Sequence, residues 1–199
     1  MLLAPEVPAG IQAGAEGAKG QSIYLHYNEA GQLVKVSDTQ QRATTFTYEN
    51  QCLTAITNPL GETIRYTYDA QGHILTKTNG DGVLKVTNQY DEAGRVILQK
   101  DGKDAVTKFA YTEGKNGNLT VNITDRNGNT AILVSDRKGN TLRYTNPEGE
   151  TTISMYDGEG NLLSVKNAEN NTCFYSYDRK GNQTRIMDAY GKTTDLKVL

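Results

Sequence analysis

A tyrosine recurs along this chain at a nearly constant interval, and that interval limits the fold more than any other feature. The signature positions are Tyr27, Tyr48, Tyr68, Tyr90, Tyr111, Tyr156 and Tyr177, with Ser135 in the slot between Tyr111 and Tyr156. Successive intervals are 21, 20, 22, 21, 24, 21 and 21 residues. A second series, Gly61, Gly82, Gly102, Gly128, Gly149 and Gly191, keeps the same period, with Asn170 where a glycine is expected. Two markers in step define a tandem repeat, and a repeat this short is one supersecondary unit that must stack on its neighbours to bury any surface.

Within each period the pattern is that of strands. Every second residue before a signature tyrosine tends to be apolar or aromatic: Ile23, Leu25, Tyr27; Ile64, Tyr66, Tyr68; Cys173, Tyr175, Tyr177. Such alternation marks a half-buried strand. The runs are separated by NGDG, DRNGN, DRKGN and NPEGE, where glycine supplies positive φ and Asp or Asn bonds the local backbone. No run keeps a helical period. The expectation is an all-β protein: tandem antiparallel β-hairpin repeats of two strands and two turns, forming a curved or spiral sheet.

Leu, Ile, Val and Phe number 40 of 199 residues, at the edge of what an ordered core needs. A net charge of only −2 and 12 tyrosines in register restore the case for order, through a thin aromatic layer instead of a thick aliphatic core. Mixed charge gives no basic stripe for nucleic acid and no polybasic membrane patch. No apolar run is long enough to span a bilayer. Cys52 and Cys173 are too few for a disulfide framework and read as free thiols.

Residues 1–19 match no part of the repeat and read as a linker or a truncated end, without the basic and apolar regions of a signal peptide. Residues 20–199 read as the array, about eight repeats with both ends in mid-repeat. Neither end carries a polar cap, so self-association through open strand edges is expected. The unit at Tyr48 is one residue short in its first turn. The stretch from Tyr111 to Gly139 is long, with TEGKNGNLT and TDRNGN adding residues around both turns. Thr112, Glu113, Lys115 and Asn116 are therefore the candidate contact loop, since insertions in repeats map to loops on one face.

Nothing in the sequence forms a catalytic constellation. His26 and His73 stand outside any nucleophile motif, and the aspartates Asp69, Asp91, Asp157 and Asp178 lack the acidic alternation of a calcium loop. A carboxylate bonding the backbone of its own turn accounts for them. No catalytic residue, metal site or cofactor is expected. The tyrosine ladder reads as cross-strand packing, with glycan stacking as the alternative.

YDAQGHILTKTNGDG, YDEAGRVILQKDG, YDGEGNLLSVKNAEN and YDRKGNQTRIMDAYG resemble the YD repeats of the bacterial Rhs family, found also in the C components of insecticidal toxin complexes and in teneurins. The resemblance covers residues 20 to about 198 and rests on Asp69 and Gly72, Asp91 and Gly94, Asp157 and Gly160, Asp178 and Gly181, each set following a signature tyrosine. It implies a long β-sheet spiralling into a hollow shell that encloses a C-terminal toxin in the bacterial members. The self-cleaving core segment and variable toxin domain of those members do not occur here. The expected function is a structural module of a secreted or cell-surface protein, walling or presenting a polypeptide and packing on neighbouring YD segments. The alternative is an extracellular recognition module for glycans or a cell-surface partner.

Overall fold

The computed structural model describes residues 11–16 and 22–197, the latter with side chains. They fall into two units, Met1–Ala105 and Val106–Leu199. Each is an antiparallel meander. The first holds β1 (Ile11–Glu16), β2 (Ser22–Tyr27), β3 (Leu33–Asp38), β4 (Ala43–Glu49), β5 (Cys52–Thr57), β6 (Thr63–Tyr68), β7 (Ile74–Thr78), β8 (Leu84–Tyr90) and β9 (Val96–Asp101). The second holds β10 (Val106–Glu113), β11 (Leu119–Thr124), β12 (Thr130–Ser135), β13 (Thr141–Thr145), β14 (Thr151–Tyr156), β15 (Leu162–Lys166), β16 (Thr172–Tyr177), β17 (Gln183–Met187) and β18 (Thr193–Asp195). Within each unit every strand pairs with the next in sequence, as tandem hairpins require.

β1 lies inside the stretch read as a linker. It pairs with β2, Ile11 opposite His26 and Glu16 opposite Ser22. Strand pairing runs through backbone groups, so it needs no tyrosine or turn glycine to form.

From β2 onward, each connection within a unit but one is the same five-residue turn. The first N–H donates to the fifth carbonyl and the fourth N–H donates to the first, as in Asn58 to Glu62 (3.0 Å) and Gly61 to Asn58 (3.0 Å). This is a three-residue hairpin loop whose last residue must be left-handed. Glycine fills that place at most turns, with φ of 89° at Gly72, 75° at Gly94, 94° at Gly160 and 81° at Gly181. The exception joins β4 to β5, where Glu49 pairs with Cys52 across Asn50 (φ 48°) and Gln51 (φ 68°). Two positive φ values in a two-residue loop explain why that unit is one residue short.

Two readings of the turns need correction. Gly102 does not occupy the left-handed position of its turn; Asp104 does, at φ 61°. Nor does TDRNGN add residues, because Asp125–Asn129 is an ordinary five-residue turn. The extra length belongs to the hairpin of β10 and β11, which continues past Tyr111–Val121 to Glu113–Leu119. Four added residues less one omitted bulge residue give the interval of 24.

Packing is one layer deep. Within each unit a strand contacts only the strands beside it in sequence. Among the described residues Ala55 is the one buried apolar side chain, and no large side chain is fully buried. The apolar layer comes from half-buried side chains, as in TIRYTY of β6 and TCFYSY of β16, where Ile64, Tyr66, Tyr68, Cys173, Tyr175 and Tyr177 alternate with exposed neighbours.

Candidate functional site

Most of the turns are locked by a clip between their first and fifth side chains, matched in hydrogen-bond polarity, whereas Asn79–Val83, Asp101–Ala105 and Gly114–Asn118 lack a polar side chain at one of the two places. In the clipped turns that begin with Asp, the fifth residue is a donor. Asp69 Oδ2 meets His73 Nδ1 at 2.8 Å, Asp91 meets Arg95 Nε at 2.8 Å, and Asn140, Asn161 and Asn182 donate to Asp136, Asp157 and Asp178 at 2.9, 2.8 and 3.0 Å. In the clipped turns that begin with Asn, the fifth residue is an acceptor: Asn28 donates to Gln32, Asn58 to Glu62 and Asn146 to Glu150, at 2.9, 2.7 and 2.8 Å. The Asp Oδ1 atoms also accept backbone N–H groups of the turn, as Asp157 does from Glu159 (3.0 Å) and Asn161 (2.8 Å). Asp69, Asp91, Asp157 and Asp178 each accept backbone N–H groups of their own turns.

These bonds favour the ionised carboxylate. The Asn129, Asn140, Asn161 and Asn182 amides lead in holding Asp125, Asp136, Asp157 and Asp178 below the ordinary carboxylate value. The Arg42 side chain does so for Asp38, and the Arg95 backbone N–H for Asp91. For Asp69, partial desolvation pushes upward and is outweighed by the His73 backbone and ring.

The signature tyrosines sit at bulges. Register shifts fall between His26 and Tyr27, Thr47 and Tyr48, Thr67 and Tyr68, Gln89 and Tyr90, Val134 and Ser135, Met155 and Tyr156, and Ser176 and Tyr177. A bulge leaves backbone groups without ladder partners. In the first unit the tyrosine of the following repeat supplies one: Tyr48 donates to Leu33 O (3.0 Å), Tyr68 to Leu53 O (2.6 Å) and Tyr90 to Ile74 O (2.6 Å). Those carbonyls belong to the residues paired with Tyr27, Tyr48 and Tyr68. Each repeat is thereby fastened by its successor. The hairpin carrying Tyr111 has no register shift, and the repeat after it carries Ser135 in place of tyrosine.

His73 and Tyr90 join two successive repeats. Their rings stack at 4.8 Å and 26°. Asn88, almost fully buried, donates to Ile74 O (2.9 Å) and accepts from Gln99 (3.0 Å). His26 contacts Ser37 Oγ at 3.3 Å, far in the register from His73, so the two histidines do not converge.

Register assigns side chains to two faces. Phe46 and Ile56, Tyr68 and Ile74, Phe109 and Ile123, Tyr111 and Val121, Tyr175 and Ile186 face one another on the tyrosine face. The opposite face of the first unit is rich in threonine, with Thr67 bonded to Thr76 (2.6 Å) and Thr57 to Thr63 (2.9 Å). Cys173 pairs with Val165 on the tyrosine face, Cys52 is half-buried opposite Glu49, and both are free thiols. In the lengthened hairpin Thr112 and Glu113 end β10, while Lys115 and Asn116 form the exposed turn tip.

Sequence reasoning identified the tyrosines, aspartates and glycines but missed the clip partners and bulges. The clips leave a signal, because DAQGH, DEAGR, DRKGN and DGEGN pair Asp with a donor four residues on, whereas NEAGQ, NPLGE and NPEGE pair Asn with an acceptor. No helix of the described residues is long and apolar enough to cross a membrane.

Comparison with known proteins gives the architecture a family. No curated protein matches the chain. Among solved structures it is similar to the Tc holotoxin pore of Photorhabdus luminescens carrying a TccC3 mutation, with a TM-score of 0.61, 17% identity, and 87% of this chain and 12% of that one covered. The TcdB2-TccC3 structure matches with a TM-score of 0.61 and 17% identity over 97% of this chain and 14% of that one. TcdB2-TccC3-Cdc42 matches at 0.59 and 18% over 96% and 12%. The chain therefore spans a small part of the length of those proteins, and at this identity the likeness is one of fold. The family model for the teneurin YD-shell matches residues 15–150, which is more than half of the sequence and holds the tyrosine bulges and clipped turns of its first five repeats. The chain belongs to the teneurin YD-shell family, a family of structural shell domains.

Proposed function

We propose that this chain is a wall segment of a YD-repeat shell, with its tyrosine face turned toward an enclosed or presented polypeptide such as a toxin. One observation carries the reading: each unit is a single layer whose strands pack only on their neighbours. A single-layer sheet with one aromatic face lays that face against something else, since large apolar patches seldom remain in water. The tyrosine hydroxyls that are not engaged in the sheet offer bonds to a captured backbone. The shell proteins of similar fold favour the same role, in a secreted or cell-surface protein longer than this chain, and a non-enzymatic one. In this reading Thr112, Glu113, Lys115 and Asn116, at the tip of the longest hairpin, touch a neighbouring segment.

Protease protection tests the proposal. A reduced and alkylated polypeptide is digested with and without the chain, at protease levels that leave the chain intact. Saturable protection is expected. Digestion at an unchanged rate, with the chain folded by circular dichroism, overturns the reading.

A further inference from the structure

Charge in the second unit is sorted by position. Its carboxylates lie in the turns, apart from Glu113 at the end of β10 and Asp195 in β18. The cations borne on strands are Lys108, Arg143, Lys166 and Arg185. The register puts Arg143 opposite Ile153 and Ile153 opposite Lys166, so these three share the face opposite the tyrosines. Met155, Ser164, Phe174 and Met187 form the adjoining row on the same face.

Arg185 is satisfied by Asp195, whose oxygen lies 2.6 Å from its Nε. Among the described residues Arg143 and Lys166 have no such carboxylate, and both are exposed. Between and beside them stand apolar side chains that the fold leaves open: Ile153 at 44%, Met155 at 61% and Phe174 at 46% exposure. Ser164, between Met155 and Phe174 in the register, is only 8% exposed.

We propose that this face of the second unit docks an acidic polypeptide segment that carries apolar side chains among its carboxylates. The wall reading concerns the tyrosine face, and this partner would lie on the other side. The composition selects the partner class. Arg, Met and Phe are the residue types enriched in protein interfaces. Arg143 and Lys166 stand two strands apart, about 10 Å, too sparse for a nucleic-acid backbone, whose interfaces are far more densely cationic. The glutamates Glu148 and Glu150 in the neighbouring turn repel an acidic chain from the sheet margin and so favour a path over Ile153 and Phe174.

The test is fluorescence anisotropy with the full chain and labelled synthetic peptides: one alternating Glu with Leu, its Lys-for-Glu counterpart, a poly-Glu peptide, and an oligothymidylate. The Glu–Leu peptide is expected to bind, and binding is expected to weaken by about tenfold in the double variant Arg143→Glu/Lys166→Glu and as salt screens the charges. Ile153→Ser/Phe174→Ser is expected to weaken it as well, with an unchanged circular dichroism spectrum. Stronger binding of the Lys–Leu peptide or the oligothymidylate overturns the proposal. Equal binding of poly-Glu overturns the apolar contribution, and no binding of the Glu–Leu peptide overturns the docking surface, while the protease-protection result for the tyrosine face stands apart from all three.

Discussion

Alanine at three glycines separates backbone strain from contact between repeats. A Cβ added at Gly72, where φ is 89°, meets nothing within 4 Å, so Gly72→Ala pays only for a left-handed alanine, about 1 kcal/mol. Gly94 has φ 75°, and a Cβ there would lie 2.6 Å from His73 Nε2. The imidazole must yield, and its stack on Tyr90 at 4.8 Å goes with it, adding about 1 kcal/mol. Gly94→Ala is therefore expected to cost about 2 kcal/mol. Gly158 has neither positive φ nor a neighbour within 4 Å, so Gly158→Ala should be neutral or stabilising by about 0.5 kcal/mol. The assay is urea unfolding followed by far-UV circular dichroism, with midpoints compared at a shared slope. Moving Gly94→Ala into a His73→Ala background should reduce its cost to that of Gly72→Ala. An undiminished cost in that background, or equal costs for Gly72→Ala and Gly94→Ala in the parent, would refute the stacked junction.

Four further outcomes follow from the same geometry. Tyr68→Phe removes the bond to Leu53 O and should cost about 1 kcal/mol in urea unfolding; a midpoint equal to the parent's would show that the bulge carbonyl is already satisfied by water. Asn140→Asp sets two carboxylates against each other in the Asp136 clip and should lower the urea midpoint at neutral pH, whereas adding Asp136→Asn recreates the Asn–acid clip of Asn146 and Glu150 and should restore the midpoint. The clipped aspartates have folded values below the usual 3.8, so their stabilisation is present above that value and lost as pH falls through the folded ones; urea midpoints should be flat from neutral pH to about 5 and drop below about 4, and a drop beginning above pH 6 would contradict this. Deleting Tyr156–Ser176, one whole period, should leave a folded chain of lower stability, because each repeat contacts only its neighbours; deleting half that segment should do more damage, and equal damage from both would count against the two-strand unit.

The period, the strand alternation and the turn glycines were legible because each is written in consecutive residues. Asp69, Asp91, Asp157 and Asp178 could be assigned to turn-locking without coordinates for the same reason. The bulges were not, since the extra residue in each hairpin, Leu75 opposite Thr67 and Tyr68 for instance, looks like one more apolar residue in a strand. Gly102 was misplaced because a glycine at the second position of a turn and one at the fourth are alike in sequence, and only the φ of Asp104 tells which residue is left-handed. β1 was missed because it pairs with β2 through backbone groups and carries none of the repeat's markers. The sorting of charge onto one face of the second unit depends on register across several strands, which a bulge shifts by one residue each time.

In the proposed wall the tyrosine face is the one turned toward an enclosed polypeptide. Tyr66 and Arg65 are neighbours in sequence on opposite faces of β6, paired with Lys77 and Thr78 of β7. Placing the photo-cross-linker benzoylphenylalanine at one position or the other, and irradiating in the presence of the unfolded polypeptide used for protease protection, reads the face directly. Cross-links from position 66 and not from position 65 are expected. Cross-links from position 65 alone, or equally from both, would contradict the claim.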